Sequence, residues 1–259
     1  MKIMIITGMI AALILGLFTA MGYSQKKEGL VLYLPFEEGS GNKVHDQSGH
    51  GWEGEFNGAK WVDGKIGKAL EFSGTGLDCV VVDAPVIDSV GKTNEITIEA
   101  WFYLLSHQQY DGIVSIATRC PGEFCCSYRI MVDPSYHPFF NCGHHVDRKI
   151  TDFTFKEKTW YHYAMTYDGS TARIYVNGKQ IGEQAENVKP LPKAKPVLVG
   201  TGEAPGTWGT NAIIDEVAIY DRCLGEDEIK QDMKGVILSV DPNSKLTTAW
   251  GYIKYNLRR

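Results

Sequence analysis

Short segments that alternate polar with apolar residues, separated by turn signals, dominate the middle of the chain. In residues 95–104, Ile96 and Phe102 fall on one side of the alternation, while Glu99 and Trp101 fall on the other. Side chains of a β-strand point alternately to its two faces, so this period of two predicts half-buried strands. Many such segments favour a β-sandwich or barrel over a fold that alternates strands with helices.

Turn residues divide these segments into hairpins. Asp168-Gly169 and Asn177-Gly178 are pairs typical of tight turns that need a positive φ. Residues 160–186 are therefore predicted to form a meander of three antiparallel strands. Further strands are predicted at residues 197–199 and 213–220, and one short helix, with acidic residues in its first turn, at residues 225–233.

Six short motifs follow one another along residues 29–233. They are an opening strand that ends in Pro-Phe-Glu, D-x-SG-x-G-x-x-G (46–54), GK-x-G-x-AL-x-F (64–72), W-x-H-x-A-x-TYDG (160–169), YVNG (175–178) and IDE-V-x-IY (214–220). Together they resemble the LamG-like jellyroll domain, a laminin G-like member of the concanavalin A-like lectin/glucanase superfamily. The resemblance implies an all-β fold, a two-sheet antiparallel jelly-roll sandwich with one short C-terminal helix. It leaves the ligand open, because one fold hosts many functions.

The N-terminus has the pattern of a secretory signal peptide. Lys2 precedes an apolar run over residues 3–18, and small residues follow up to Ser24. We expect cleavage near Ser24 and a secreted, periplasmic or cell-surface protein. A retained membrane anchor is the alternative, since the run approaches the roughly 20 apolar residues that span a bilayer. The predicted division is a signal peptide (1–24), a LamG-like jellyroll domain (25–235) and a C-terminal extension of unknown role (236–259).

The charge of the chain restricts its partners. The formal net charge is −5, and Lys and Arg form no clusters. Nucleic-acid recognition needs a basic footprint, which this chain lacks, and an anionic membrane surface is disfavoured for the same reason. The expected partner is a carbohydrate or glycoconjugate, or an extracellular protein, with no membrane span after signal cleavage.

Six cysteines in an exported chain predict disulfides, because the compartment outside the cytoplasm is oxidising. We expect at least two. If residues 112–119 and 127–133 form a hairpin, Cys120 faces Cys125 or Cys126 across its mouth. The alternative is a zinc site formed by Cys120, Cys142, His144 and His145. The disulfide candidates are Cys79, Cys120, Cys125, Cys126, Cys142 and Cys223.

Catalysis is not expected. A retaining glycosidase needs two carboxylates about 5–5.5 Å apart. The glucanases of the resembled superfamily carry them on one strand in an E-x-D-x-E or E-x-D-x-x-E pattern. The nearest acidic strand here has Thr97 between Glu95 and Glu99, and the acidic cluster at residues 226–228 falls in the predicted helix.

Two carboxylates are candidate calcium ligands. Alternation in the last strand places Asp215 on the apolar face with Val217 and Ile219, where an unpaired charge is costly. Asp46 begins a glycine-rich loop, residues 46–54, that offers carbonyl oxygens as well, a mixture that calcium prefers. The resemblance supports calcium, held between Asp215 and this loop. The alternative is that both carboxylates accept hydrogen bonds from loop amide groups.

Aromatic residues mark a candidate ligand surface, with residues 134–145 as its rim. Stacking aromatics with a few polar groups are typical of sugar-binding sites, whereas the alternative is that these side chains pack beneath loops. His162 is interpreted as part of the scaffold. A non-catalytic carbohydrate-binding protein is the first expectation, a structural or adhesive protein–protein module the alternative, and a glycoside hydrolase a weaker one. The candidate ligand-binding residues are Glu99, Trp101, Tyr103, Tyr128 and Arg129.

Overall fold

Two antiparallel eight-stranded sheets face each other across one apolar core. The structure, a computed structural model, describes residues 27–120, 123–142, 147–186, 196–235 and 237, and of residues 117–120 and 123–127 the backbone only. The predicted two-sheet antiparallel sandwich is confirmed. The predicted signal peptide and nearly all of the C-terminal extension lie outside the described residues, so the domain division stays a prediction.

The first sheet has the order β14-β13-β12-β7-β16-β5-β4, with β1 paired to β16. Its strands are β1 (Leu30–Leu34), β4 (Lys60–Asp63), β5 (Lys68–Glu71), β7 (Ile96–Ser106), β12 (Trp160–Tyr167), β13 (Thr171–Val176), β14 (Lys179–Ala185) and β16 (Asn211–Tyr220). The second sheet has the order β11-β10-β9-β8-β15-β6-β3-β2. Its strands are β2 (Lys43–His45), β3 (Glu53–Glu55), β6 (Val80–Val82), β8 (Asp111–Cys120), β9 (Glu123–Val132), β10 (Pro138–Cys142), β11 (Asp147–Lys149) and β15 (Val197–Val199).

The predicted meander is formed by β12, β13 and β14. Its turns have the expected backbone, since φ is +86° at Gly169, +51° at Asn177 and +73° at Gly178. The strand predicted at residues 197–199 is β15, and that predicted at 213–220 begins two residues earlier as β16. These elements were predictable because turn chemistry and alternation are local properties of a sequence.

The core lies between the inner faces of the two sheets. On β7 it takes Ile96, Ile98, Ala100 and Phe102, as the alternation predicts. The opposite face of β7 belongs to the outer side of the first sheet. A second apolar cluster covers part of that side and includes Tyr33, Tyr175, Ala218, Leu224 and Ile229.

The described residues contain two helices, α1 (Val86–Thr93) and α2 (Glu226–Asp232). The predicted C-terminal helix is α2, and the backbone N–H of Gly225 donates to Glu228 at its start (3.1 Å). The sequence analysis did not predict α1. Its β-branched residues have low helix propensity, so burial of Val86, Ile87 and Val90 against the core stabilises it instead.

A β-bulge in β16 changes which face Asp215 occupies. The register between β16 and β7 shifts between Asp215 and Ala218, and Glu216 has a φ of +53°. Before the bulge Asp215 lies opposite Trp101, on the outer face, whereas Val217 after it points into the core. The expectation that Asp215 shares a face with Val217 is therefore wrong, because an inserted residue reverses the alternation.

In the described part of the chain, no helix has both the length and the apolar content that crossing a bilayer requires.

Candidate functional site

Most of the predicted ligand face on β7 is covered. Glu99 is fully buried, and Trp101 is only 5% exposed. The Trp101 Nε1–H donates to the carbonyl of Met233, just after α2 (3.3 Å). Tyr103 is half-buried, with its ring 5.5 Å from that of Trp160. The expectation that Glu99 and Trp101 are exposed to bind a ligand is wrong, because α2 and the residue after it pack over this face.

A buried titratable cluster lies beneath α2. His162 Nε2 is 3.8 Å from Glu99 Oε2, and Tyr220 OH donates to Asp232 (2.8 Å). Lys27 forms an ion pair with the other oxygen of Asp232. Burial, and then the negative charge of Asp232, raises the pKa of Glu99, and burial lowers the pKa of His162 to about 3. His162 thus belongs to the scaffold, as interpreted from its motif.

Tyr128 and Arg129 are adjacent on β9 and point to opposite faces of the second sheet. Tyr128 is fully buried in the core, where its ring lies 6.3 Å from that of Tyr167. The prediction that Tyr128 binds ligand is wrong, because the pleat turns it inward. Arg129 points to the outer face of the second sheet, where it forms part of a different candidate site.

The guanidinium of Arg129 lies between two aromatic rings. Its Cζ is 4.9 Å from the centre of the Trp208 ring and 5.6 Å from that of Phe139. Nη2 pairs with Asp147, and Nη1 is 3.4 Å from Glu203 Oε1. Stacking and charge together hold this buried cation in place.

Aromatic and polar side chains continue around Arg129. The Tyr110 ring lies 5.4 Å from that of Phe139 and 5.5 Å from that of Trp208. Asn141, opposite Arg129 on β10, donates to Asp147 (3.1 Å). Trp208 is 38% exposed and is, with Leu77, one of two exposed large apolar side chains in the described part of the chain. We call the set Tyr110, Arg129, Phe139, Asn141, Asp147, Glu203 and Trp208 the Trp208 face.

Trp208 is held in an unfavourable backbone conformation. Its φ is +47°, in the left-handed region that non-glycine residues seldom occupy. The loop around it is closed by hydrogen bonds from Gly202 N to the Thr207 carbonyl (3.1 Å) and from Gly112 N to the Trp208 carbonyl (2.9 Å). A Cβ at Gly112 would lie 2.2 Å from the Gly202 nitrogen, so only glycine fits. Strain that the surroundings enforce is common at binding sites.

The two predicted calcium ligands lie in different hydrogen-bond networks. Asp46 Oδ1 accepts from the amides of Tyr33 (2.9 Å) and Ser48 (2.8 Å). Asp215 is buried, as predicted, and its Oδ2 accepts from the amide of Ile66 (2.9 Å), outside the 46–54 loop. These bonds match the alternative in which each carboxylate organises a loop. Among the residues that the structure describes, no three His, Cys, Asp or Glu side chains group in a way that would hold a metal ion.

Three of the six cysteines are free thiols: Cys79, Cys142 and Cys223. Cys142 is not bonded to another cysteine; its Sγ contacts Met165 Sδ (3.4 Å) inside the core. The three remaining cysteines can form at most one disulfide with each other. The expectation of at least two disulfides within the chain is therefore wrong.

The hairpin that carries the other cysteines is confirmed as β8 and β9, but its register differs from the expectation. Cys120 lies opposite Glu123, Cys125 opposite Thr118 and Cys126 opposite Ala117. The expected pairing of Cys120 across the hairpin mouth is therefore wrong. The side chains of these three cysteines, and His144 and His145 of the zinc alternative, lie outside what the structure describes.

The sequence analysis identified Arg129 and the 134–145 segment but missed most of the Trp208 face. The segment contributes Phe139 and Asn141. Trp208 was missed, although a tryptophan in a glycine-rich stretch (GTGEAPGTWG, 200–209) is a recognisable signal of an exposed aromatic residue. Asp147 and Glu203 carried no signal, because strand pairing brings the first to Arg129 and the loop after β15 brings the second.

Comparison with known proteins places the fold in a family. A family model described as the concanavalin A-like lectin/glucanases superfamily matches residues 80–230, more than half of the chain. No curated protein matches the sequence.

Similar solved structures belong to different kinds of protein. A Trypanosoma rangeli sialidase in complex with a difluoro sugar acid has a TM-score of 0.62 at 16% identity, over 82% of this chain and 34% of that one. Domain 4 of a GH43 extracellular arabinanase from Geobacillus stearothermophilus, in complex with arabinotriose, has a TM-score of 0.61 at 17% identity, over 80% of this chain and 100% of that one. The binding domain of Paraclostridial Mosquitocidal Protein 1 has a TM-score of 0.61 at 16% identity, over 80% and 52%. The chain spans about a third of the sialidase, and these identities establish the fold alone.

Proposed function

The chain belongs to the concanavalin A-like lectin/glucanases superfamily, and we propose that it is a non-catalytic carbohydrate-binding protein whose ligand stacks on Trp208. The observation that carries this proposal is an exposed tryptophan, fixed at a positive φ on a closed loop, beside a buried Arg129. Because the aromatic surface is already rigid, a ligand loses little affinity to ordering it.

The composition of the Trp208 face suits a sugar. The partly apolar faces of sugar rings stack on aromatic side chains, and hydroxyl groups need both donors and acceptors nearby. Trp208 supplies the stacking surface, while Asp147 and Glu203 supply acceptors and are 47% and 21% exposed at their side chains. Such a site binds through few contacts, so we expect affinities of roughly micromolar to millimolar.

Two sugar-related relatives support the proposal by analogy. One is a sialidase and the other an arabinanase domain in complex with arabinotriose. The proposal of binding without cleavage rests on this chain's own carboxylates. Glu99, in the acidic strand, is buried beneath α2, where a polysaccharide has no access.

Substitution of Trp208 tests the proposed site. We expect immobilised neutral polysaccharides such as arabinan, galactan or β-glucan to retain the protein, and Trp208→Ala to weaken retention about tenfold or more, the usual effect of removing an aromatic anchor. Tyr103→Ala is the comparison that separates the two faces: Tyr103 is the partly exposed aromatic residue of the face predicted on β7, and its substitution should leave retention unchanged. Equal retention of the Trp208→Ala protein would contradict the proposed site.

The same incubations test the absence of catalysis. We expect no shortened products. Release of oligosaccharides that disappears on substitution of a single carboxylate would overturn the non-catalytic proposal. Retention by no glycan at all would favour the alternative of a protein-adhesion module, for which Leu77, 68% exposed near the Trp208 loop, is a candidate contact. Export and calcium support stay predictions, and repeating the retention assay with a chelator tests the second.

A further inference from the structure

The Trp208 face carries more negative than positive charge. Among the described residues that form it, Arg129 is the one cation, and Asp147 and Glu203 are two anions. Both terminal nitrogens of the Arg129 guanidinium already face these carboxylates. An Arg that recognises a sulfate or carboxylate offers these nitrogens as a two-pronged donor, whereas the Arg129 side chain is only 4% exposed and directs them at Asp147 and Glu203.

Two neighbouring cations are also paired with carboxylates. Arg148, on β11 beside Asp147, forms an ion pair with Glu186. Lys149 lies opposite Phe139 on the outer side of the sheet; its side chain is half exposed, and its Nζ is 3.4 Å from Asp133 Oδ2. An anionic ligand would therefore meet the exposed carboxylates of the Trp208 face, while each of these described cations already has a carboxylate partner.

We infer that the Trp208 face selects uncharged glycans and rejects sulfated or carboxylated ones, with Asp147 and Glu203 as the residues that exclude anions. This inference rests on the proposed function. The physical basis is the cost of placing like charges together at an interface from which water is partly removed.

A matched pair of polymers tests the inference. Each neutral polysaccharide that retains the protein is compared with the same polymer after chemical sulfation. We expect retention about tenfold weaker, or more, on the sulfated polymer. Raising the salt concentration should reduce this difference, since salt screens repulsion between exposed charges.

Two variants assign the effect to residues. Asp147→Asn combined with Glu203→Gln should gain retention on the sulfated polymer relative to the unmodified protein. Asp227→Asn combined with Glu183→Gln is the charge-matched control, because both side chains are exposed away from the Trp208 face, the first on α2 and the second on β14 of the first sheet. If the double variant does not gain retention and salt has no effect, sulfation acts by removing hydroxyl groups and the inference is wrong.

The remaining outcomes separate the inference from the proposed function. Equal or tighter retention on a sulfated polymer, still lost in Trp208→Ala, would overturn the inference and leave the binding site standing. Retention on no polymer would contradict the proposed function, and the inference with it.

Discussion

Neighbouring residues of this chain have unrelated roles because a strand directs them to opposite faces. Tyr128 packs in the core, whereas Arg129, the next residue, belongs to the Trp208 face. The same pleat places Glu99 and Trp101 against α2. The role of a residue therefore depends both on its side chain and on whether another element covers that face of the sheet.

His162 makes a prediction about pH at the scale of one residue. Its pKa is about 3 in the fold and near 6.5 when unfolded. The unfolded chain therefore binds the proton more readily, and the contribution of neutral His162 to stability, complete above pH 6.5, is lost as the pH falls towards 3. Glu99, with a raised pKa, acts in the opposite sense, since its contribution is lost as the pH rises above 4.5.

His162→Phe should remove the histidine contribution. Relative to the variant, the unmodified protein should lose unfolding free energy as the pH falls from 6.5 towards 3, by about 1 kcal/mol per pH unit, because the unfolded chain binds one more proton. Urea unfolding at a series of pH values measures this, and His45→Gln, at an exposed histidine, is the control. Curves for His162→Phe and the unmodified protein that stay parallel would rule the mechanism out.

At the scale of elements, α2 decides what the first sheet can bind. The helix is short, and its own hydrogen bonds are few, so its position depends on packing of its apolar side. Ile229 is fully buried in the cluster that holds it to the sheet. While α2 stays docked, Glu99 and Trp101 are closed to large ligands.

Ile229→Ala should weaken this docking. We expect a loss of about 2–5 kcal/mol in unfolding free energy, the usual cost of such a truncation in a core. Gln231→Ala, at an exposed position of α2, should change it little. Urea unfolding compares the two, and a similar small loss in both would mean that α2 contributes little to stability.

At the scale of the whole molecule, the three cysteines whose side chains the structure describes are free thiols, and burial predicts how reactive they are. Burial raises the pKa of Cys79 to about 11 and raises that of Cys142 as well. The thiolate is the reactive form, so both should resist alkylation in the folded protein. After unfolding without reductant, at least three thiols should titrate, counting Cys223.

Titration with a thiol reagent, in native buffer and in urea, checks these counts. Cys79→Ser combined with Cys142→Ser should remove two thiols from the unfolded count and none from the rapid native count. Fewer than three thiols in the unfolded, unreduced chain would contradict the structure and restore the expectation of several disulfides.

The sequence by itself determined the sandwich, the meander and α2, because alternation, turn residues and helix-end charges act between near neighbours. It also placed Arg129 and the 134–145 segment at a surface. The tertiary structure alone decided that Trp208, Phe139 and Asp147 meet at Arg129, since strand order brings together residues far apart in the chain. It likewise decided that α2 covers Trp101 and that a bulge turns Asp215 outward. The alternation of residues cannot reveal the docking of α2 or the bulge. The first depends on packing between distant elements, and the second on the register between β16 and β7.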